Sequence, residues 1–477
     1  MRDDEIPGFI RKNRTAWTKA MNPAQILVVG FLMLISIASF LLILPISSKT
    51  GETTHFLDAL FTATSAVCVT GLSVVNTAAH WSLFGKIVII CCIQIGGLGF
   101  MSLVSMIFVL LGRRITLKNR LVMQEALNFN TTAGVVRFTK MIVQGTLIVE
   151  GIGALLLSFV FIPEHGWLKG IWFAVFHSIS AFCNAGFDLV GDSSLTPYVG
   201  NGVVNLVIMS LIILGGLGFS VWIDTFKALC TKRKAPKLYS WKQVFQKMSL
   251  HSKLVWLITI FLLISGFFMI FIFEYHNPAT LGNLSLGEKI WAALFQSVSP
   301  RTAGFNTIPL NGLTDTSKLY TLFLMFIGGS PAGTAGGIKT VTVGVLVLCA
   351  YNTIKGNENV VVFKRRISFQ IISRALTIVM IAGGVVSVVV GVLSMTEHFT
   401  FMEILFESVS AFATVGTTLG ITAKLSQIGK LMITVVMFIG RLGPITMAVA
   451  LMVRERDKEK SKNKGNIQYP EEKVMVG

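Results

Sequence analysis

Long apolar runs recur along the chain at about 26–46, 139–162, 253–273 and 369–395. At roughly 20 residues or more, each is long enough to cross the hydrocarbon of a bilayer as a helix. A second set lies at about 83–111, 203–229, 319–350 and 428–453. Between each pair sits a shorter apolar stretch of about 12 residues, too short to cross, so the chain there must enter the membrane and return on the same side. The order long, short, long occurs four times and predicts an all-α integral membrane protein of eight spans and four re-entrant pore helices. Backbone that leaves the helix at membrane depth is tolerated only where it is buried in protein or faces water. Four such places point to a protein-lined central pore.

Two signatures mark the copies as repeats of one unit. The first reads FTATSAVCVTG at 61–71, FHSISAFCNAG at 176–186, FQSVSPRTAG at 295–304 and FESVSAFATVG at 406–416. The second reads IGGLGF at 95–100, LGGLGF at 214–219, IGGSPAG at 327–333 and IGRLGP at 439–444. From the last glycine of the first signature to the first of the second the spacing is 25, 29, 24 and 24 residues. Copies with the same sidedness close naturally into a ring about an axis normal to the membrane, each short helix aiming its carboxyl end at that axis. The negative ends of four helix dipoles then meet at one place, which attracts a cation.

Composition agrees: 53% of the residues are hydrophobic, 13% are charged and the mean hydropathy is +0.71. That excludes an ordinary soluble or disordered chain. The net charge of +18 raises the possibility of nucleic acid, but the distribution of the cations excludes it. Of 41 Lys and Arg, 31 fall in the tail before residue 20, in 112–140, 227–253 and 351–374, and after residue 453. By the positive-inside rule these five segments are cytoplasmic, as are both termini of a multi-pass cell-membrane protein. The polar first twenty residues, with no cleavage site after the apolar run from 26, predict that the first span is retained. The expected organisation is a cytoplasmic segment 1–25, repeats at 26–111, 139–229, 253–350 and 369–453, cytoplasmic connections 112–138, 230–252 and 351–368, and a cytoplasmic tail 454–477. The six cysteines show no zinc-like spacing and are expected to be free thiols.

With four helix–pore-loop–helix units on one chain, each carrying a glycine at the loop, the sequence resembles the Trk/Ktr/HKT superfamily of potassium transporters over essentially its whole length. About 25 polar residues precede the first span, whereas Trk-type subunits carry extra amino-terminal helices, so the likeness is greatest to the KtrB membrane subunit. The resemblance implies a selectivity filter at Gly71, Gly186, Gly304 and Gly416, and potassium as the transported ion. Some plant relatives with serine at the first filter glycine favour sodium. The residues give an independent reason: without a Cβ, glycine takes the backbone angles that turn carbonyls toward an ion and lets the chain approach it. The expected carbonyls are those of Val69, Thr70 and Gly71, of Asn184, Ala185 and Gly186, of Thr302, Ala303 and Gly304, and of Thr414, Val415 and Gly416. Taken singly, each glycine also fits a helix carboxyl cap.

The third inner run contains GGSPAGTAGGIKT at 328–340, which breaks a helix into two halves too short to cross. It reads either as a packing kink or as a deformable loop under the filter, with Gly328, Gly329, Gly333, Gly336 and Gly337 as its pliant positions. The resemblance implies the second, a gate. Lys339 at its end is placed to snorkel to the interface. Arg441 in IGRLGP lies too deep for that, and a cation there costs several kcal/mol unless it meets water or a partner. It reads as an electrostatic barrier beside the gate or as half of an ion pair with Glu407 or Glu150. Asp58, Glu288 and Glu403 suit pore-helix starts, Asp188 suits an outer vestibule, and His177 falls at a position that is merely polar in the other repeats.

No GxxxxGK[ST] is present, and no GxGxxG follows a soluble strand, so no nucleotide is expected on this chain. The resemblance implies a homodimer on a cytosolic ring of KtrA-like nucleotide-binding proteins, in the lipid bilayer, with uptake stimulated by sodium. Two other classes compete. An ion-coupled secondary transporter of cations needs midplane carboxylates and usually inverted repeats, for which Glu150 alone is thin support. A membrane-embedded enzyme needs converging His, Asp or Glu, which the sequence does not offer.

Overall fold

The structure, a computed structural model, describes residues 22–99, 121, 135–191, 193–234, 241–357 and 359–450. The expectations for the amino-terminal segment, for the far half of the first inner run with most of the connection 112–138, and for the tail lie outside the described residues.

Four outer helices, Pro23–Ile43, Val135–His165, Leu250–Glu274 and Phe369–Thr396, are long and apolar enough to cross a bilayer. The shortest has 21 residues, which at about 1.5 Å per residue spans roughly 30 Å. At most a third of each is buried. Their outward faces carry Phe40, Phe159, Phe261 and Met380, each 65–70% exposed. Apolar surface on that scale needs lipid rather than water.

Inside this fence stand the short helices Phe56–Val67, Trp167–Phe182, Leu286–Val298 and Phe401–Ala413. Each is clad in protein along its carboxyl-terminal half, and the phenylalanines that open the first signature, Phe61, Phe176, Phe295 and Phe406, are fully buried. Every pore helix packs on the outer helix of its own repeat. Each inner helix also packs on the pore helix of the next repeat, first on second, second on third, third on fourth, and fourth back on first. The repeats therefore close into a ring.

The third inner run is expected to break at 328–340; the other inner segments depart from the continuous spans expected of them. Leu83–Leu98 stops at Gly99; Gly202–Gly216 turns by 101° into Phe219–Lys234; Gln427–Leu442 turns by 94° at Pro444. The turning residues Gly99, Gly218 and Gly443 hold φ of +79°, +88° and +85°, values a helix cannot contain. In the third repeat Asp315–Phe326 and Thr340–Ile354 are separated by an open stretch pinched at its neck by an Ile327–Ile338 bridge. The described residues thus hold four unbroken outer crossings, three inner segments interrupted at the second signature, and a first inner helix that ends there at Gly99. A Ser, Asn or Thr side chain caps the start of every inner helix, at Ser82, Asn201, Thr314 and Ser426.

Candidate functional site

Each pore helix ends by passing into the loop that carries its glycine. The residue two before that glycine, Val69, Asn184, Thr302 or Thr414, has φ between +51° and +73°, and the glycine itself has φ between +68° and +92°. Left-handed backbone at alternate positions carries the peptide groups away from the helix, so their carbonyls are free for something else. Only the glycines adopt it without strain.

The four loops meet. A methyl group placed on Gly71 would sit 3.1 Å from the Cα of Gly186; on Gly186, 3.0 Å from the Cα of Gly304; on Gly304, 3.3 Å from that of Gly416; and on Gly416, 3.0 Å from that of Gly71. Each methyl would also strike the carbonyl oxygen just before the next glycine, that of Ala185, Ala303, Val415 and Thr70 in turn. The ring is closed at backbone contact by the four glycines and the residue before each, Thr70, Ala185, Ala303 and Val415. A closed ring of carbonyl-bearing loops, with the negative ends of four pore helices behind it, has the make-up of a cation site.

The serine that ends the FxxxS pattern holds each loop. Ser65 Oγ accepts from Gly71 N–H at 3.0 Å and Ser410 Oγ from Gly416 N–H at 3.1 Å, while Ser180 and Ser299 donate to the carbonyls of Phe187 and Phe305. The serine carbonyls also accept from Thr70, Ala185, Ala303 and Val415 N–H at 2.8–2.9 Å. The signal for this role in the sequence is that a serine stands at the same place in all four copies. The position that reads as merely polar also braces the loop: His177 accepts from Leu189 N–H at 3.3 Å, and Glu407 accepts from Thr418 at 2.7 Å and Thr422 at 2.5 Å.

Below the ring, at the carboxyl ends of the pore helices, lies the open stretch 327–339. Its backbone is satisfied by the break in the second inner helix: Ser330 and Thr334 N–H donate to the carbonyls of Gly216 and Gly215 at 2.8 and 3.2 Å, and Phe219 N–H donates to that of Ala332 at 2.8 Å. Two broken helices thus repair each other within the membrane. The glycines are needed by close approach. Gly328 faces Thr302, Gly329 faces Ala335 and Gly216, Gly333 faces Gly215 and Gly218, Gly336 faces Thr414 and Gly337 faces Ala413.

Arg441 reaches this loop. Its guanidinium donates to the carbonyls of Thr334, Gly96 and Gly97, the last at 3.2 Å. Carbonyls of the first and third repeats, rather than a carboxylate, are its partners, which corrects the ion-pair alternative. Glu150 is bound instead by Gln94 at 3.0 Å and more weakly by Cys183 Sγ, and Glu407 by its two threonines. Lys339 donates to the Ala335 carbonyl at 2.6 Å. Lys339, Arg374 and Arg441 all line a cavity of about 410 Å³ beneath the loop, walled by residues of all four repeats.

The remaining candidates lie outside the ring. Glu288 and Glu403 close capping boxes with Ser285 and Thr400. Asp58 pairs with Lys430 at 2.8 Å, tying the first pore helix to the fourth inner helix. Asp188 accepts from Val190 and Gly191 N–H just beyond the second loop.

Comparison with known proteins gives this geometry a family. The cation transport protein model TrkH matches residues 4–462. The chain is 42% identical to the potassium/sodium uptake protein NtpJ of Enterococcus hirae over 463 residues, covering 96% of this chain and 98% of that one. It is 41% identical to the Ktr system potassium uptake protein B of Bacillus subtilis over 468 residues, covering 98% of this chain and all of that one. The crystal structure of the potassium transporter TrkH from Vibrio parahaemolyticus superposes with a TM-score of 0.68 at 20% identity, over 90% of this chain and 85% of that one. The chain belongs to the TrkH family of cation transport proteins.

Proposed function

We propose that this chain is the pore-forming subunit of a potassium-uptake system of the cell membrane. Its filter is the ring of carbonyls at 69–71, 184–186, 302–304 and 414–416, with potassium held at Gly71, Gly186, Gly304 and Gly416, and its gate is the loop 328–339 with Arg441. The closed ring of backbone contacts between the four glycines carries the reading, because potassium sheds its water only where carbonyl oxygens replace it from several sides. The names of relatives that align along their full length support potassium as the cargo.

In the closed state the loop fills the passage under the ring, and Arg441, bound to the Thr334 carbonyl, pins it. The positive charge there opposes a cation leaving the filter, and withdrawal of the arginine removes charge and pin together. With repeats at 26–111, 139–229, 253–350 and 369–453, each repeat contributes one quarter of the ring.

The name Ktr system implies a partner subunit for that relative. For this chain we take the partner to be a cytosolic nucleotide-binding ring beneath a homodimer, with both termini on the cytoplasmic side. Sodium stimulation finds support in the name of the E. hirae relative. The test is expression in a bacterium lacking its potassium-uptake systems, with and without sodium and the ring partner. Growth at low potassium is expected; a membrane-inserted chain that restores none contradicts the proposal.

A further inference from the structure

The loop packs against the filter, through the Thr334 side chain in the second repeat and through glycine backbone in the third and fourth. In three of the four repeats, a loop residue abuts the residue two before the filter glycine. Thr334 Oγ1 donates to the Phe182 carbonyl at 3.1 Å and lies 3.4 Å from the side-chain amide of Asn184. That amide meets Thr302 Oγ1 at 3.3 Å in either of its two orientations. A methyl on Gly328 would lie 3.2 Å from Thr302 Cγ2, and one on Gly336 3.0 Å from Thr414 Cβ. Asn184, Thr302, Thr334 and Thr414 are all buried. Thr334 is the junction, because its carbonyl also takes the hydrogen bond from Arg441.

Asn184, Thr302 and Thr414 occupy left-handed backbone, with φ of +60°, +73° and +51°. For threonine that region is sparsely populated and persists only where the surroundings over-determine it. The pore helix supplies surroundings from behind and an ion would supply them from the axis. The loop supplies them from below.

Accepting the pore reading above, we infer that the loop is a clamp on the filter as well as a plug beneath it. In place, it holds Asn184 and Thr302 in the conformations that aim their carbonyls inward; displaced, it releases them. Gate position and ion selectivity are therefore coupled through the contact of Thr334 with the Asn184 side chain, and both side chains act by positioning the filter backbone. Coupling of this kind is reciprocal: bound potassium holds the loop in place as strongly as the loop favours bound potassium over sodium.

The test uses the full chain in proteoliposomes, with sodium competing against rubidium uptake as the measure of discrimination. Thr334→Val removes the hydroxyl but keeps the carbonyl used by Arg441. It is expected to lower discrimination on the order of fivefold, and Thr334→Ser to restore it. Asn184→Ala lowers it similarly, and the double variant no further, because the two act through one contact. A Thr334→Val chain with altered uptake rate and unchanged discrimination, or two losses that multiply, overturns the clamp.

Hydrogen exchange of wild-type residues 328–340 in nanodiscs decides the matter even where a variant fails to fold. Slower exchange in potassium than in sodium at equal ionic strength is expected, and equal exchange overturns the clamp. Absence of rubidium uptake by the wild type sinks the pore reading instead, and leaves the exchange comparison to judge the coupling.

Discussion

At Val69, Thr302 and Thr414 a β-branched residue stands at positive φ, a conformation that costs about 1–3 kcal/mol and recurs where function holds it in place. The adjoining glycines are legible in the sequence because all four copies carry one at the same place. The strain two residues earlier is not, since Val, Asn, Thr and Thr share no propensity for that region. Gly71 is the sharpest test at this scale. Its Cβ would strike the Ala185 carbonyl, so Gly71→Ser is expected to displace a filter oxygen and lower potassium-over-sodium uptake; an unchanged ratio counts against the filter assignment. Ser410→Ala removes the acceptor of the Gly416 N–H. At about 0.5–1.5 kcal/mol for such a bond, a roughly threefold to tenfold loss in rubidium affinity is expected from competition assays. Arg441 shows why a lone residue misleads: its depth announced a partner, but carbonyls contributed by other repeats leave no mark in the sequence. Arg441→Ala is expected to raise uptake and blunt its regulation, whereas a properly inserted variant with wild-type flux removes the arginine from the gate.

The outer helices were legible as elements because unbroken apolar runs of 20 residues or more admit one solution in lipid. The inner ones were not. Hydropathy registers apolar length, and the runs ending in LGGLGF and IGRLGP stay apolar through bends of 101° and 94°. What bends each is a glycine at positive φ: Gly218 turns against Pro331 of the third repeat, whereas Gly443 turns at the edge of the cavity. The stretch 328–340 was readable only because proline and five glycines crowd into it. Gly336→Ala tests whether that crowding serves closure. The added methyl meets the Thr414 side chain, so the loop is expected to seat poorly and the leak of rubidium in the absence of activation to rise; a tighter resting state argues that the loop is only a kink.

The whole molecule has one organising fact, the cyclic order in which each inner helix leans on the next pore helix and the fourth returns to the first. The Asp58–Lys430 ion pair fastens the same seam between the last repeat and the first. Repetition made the ring legible, since four copies of equal sidedness close most simply around an axis.

The most direct measurement is diffraction from crystals grown in rubidium, with the anomalous signal used to place the ion. A peak on the axis, within coordination distance of carbonyls from all four loops and above the stretch 328–339, is the predicted result. A well-ordered filter without such a peak, or a rubidium ion bound elsewhere in the molecule, contradicts the account.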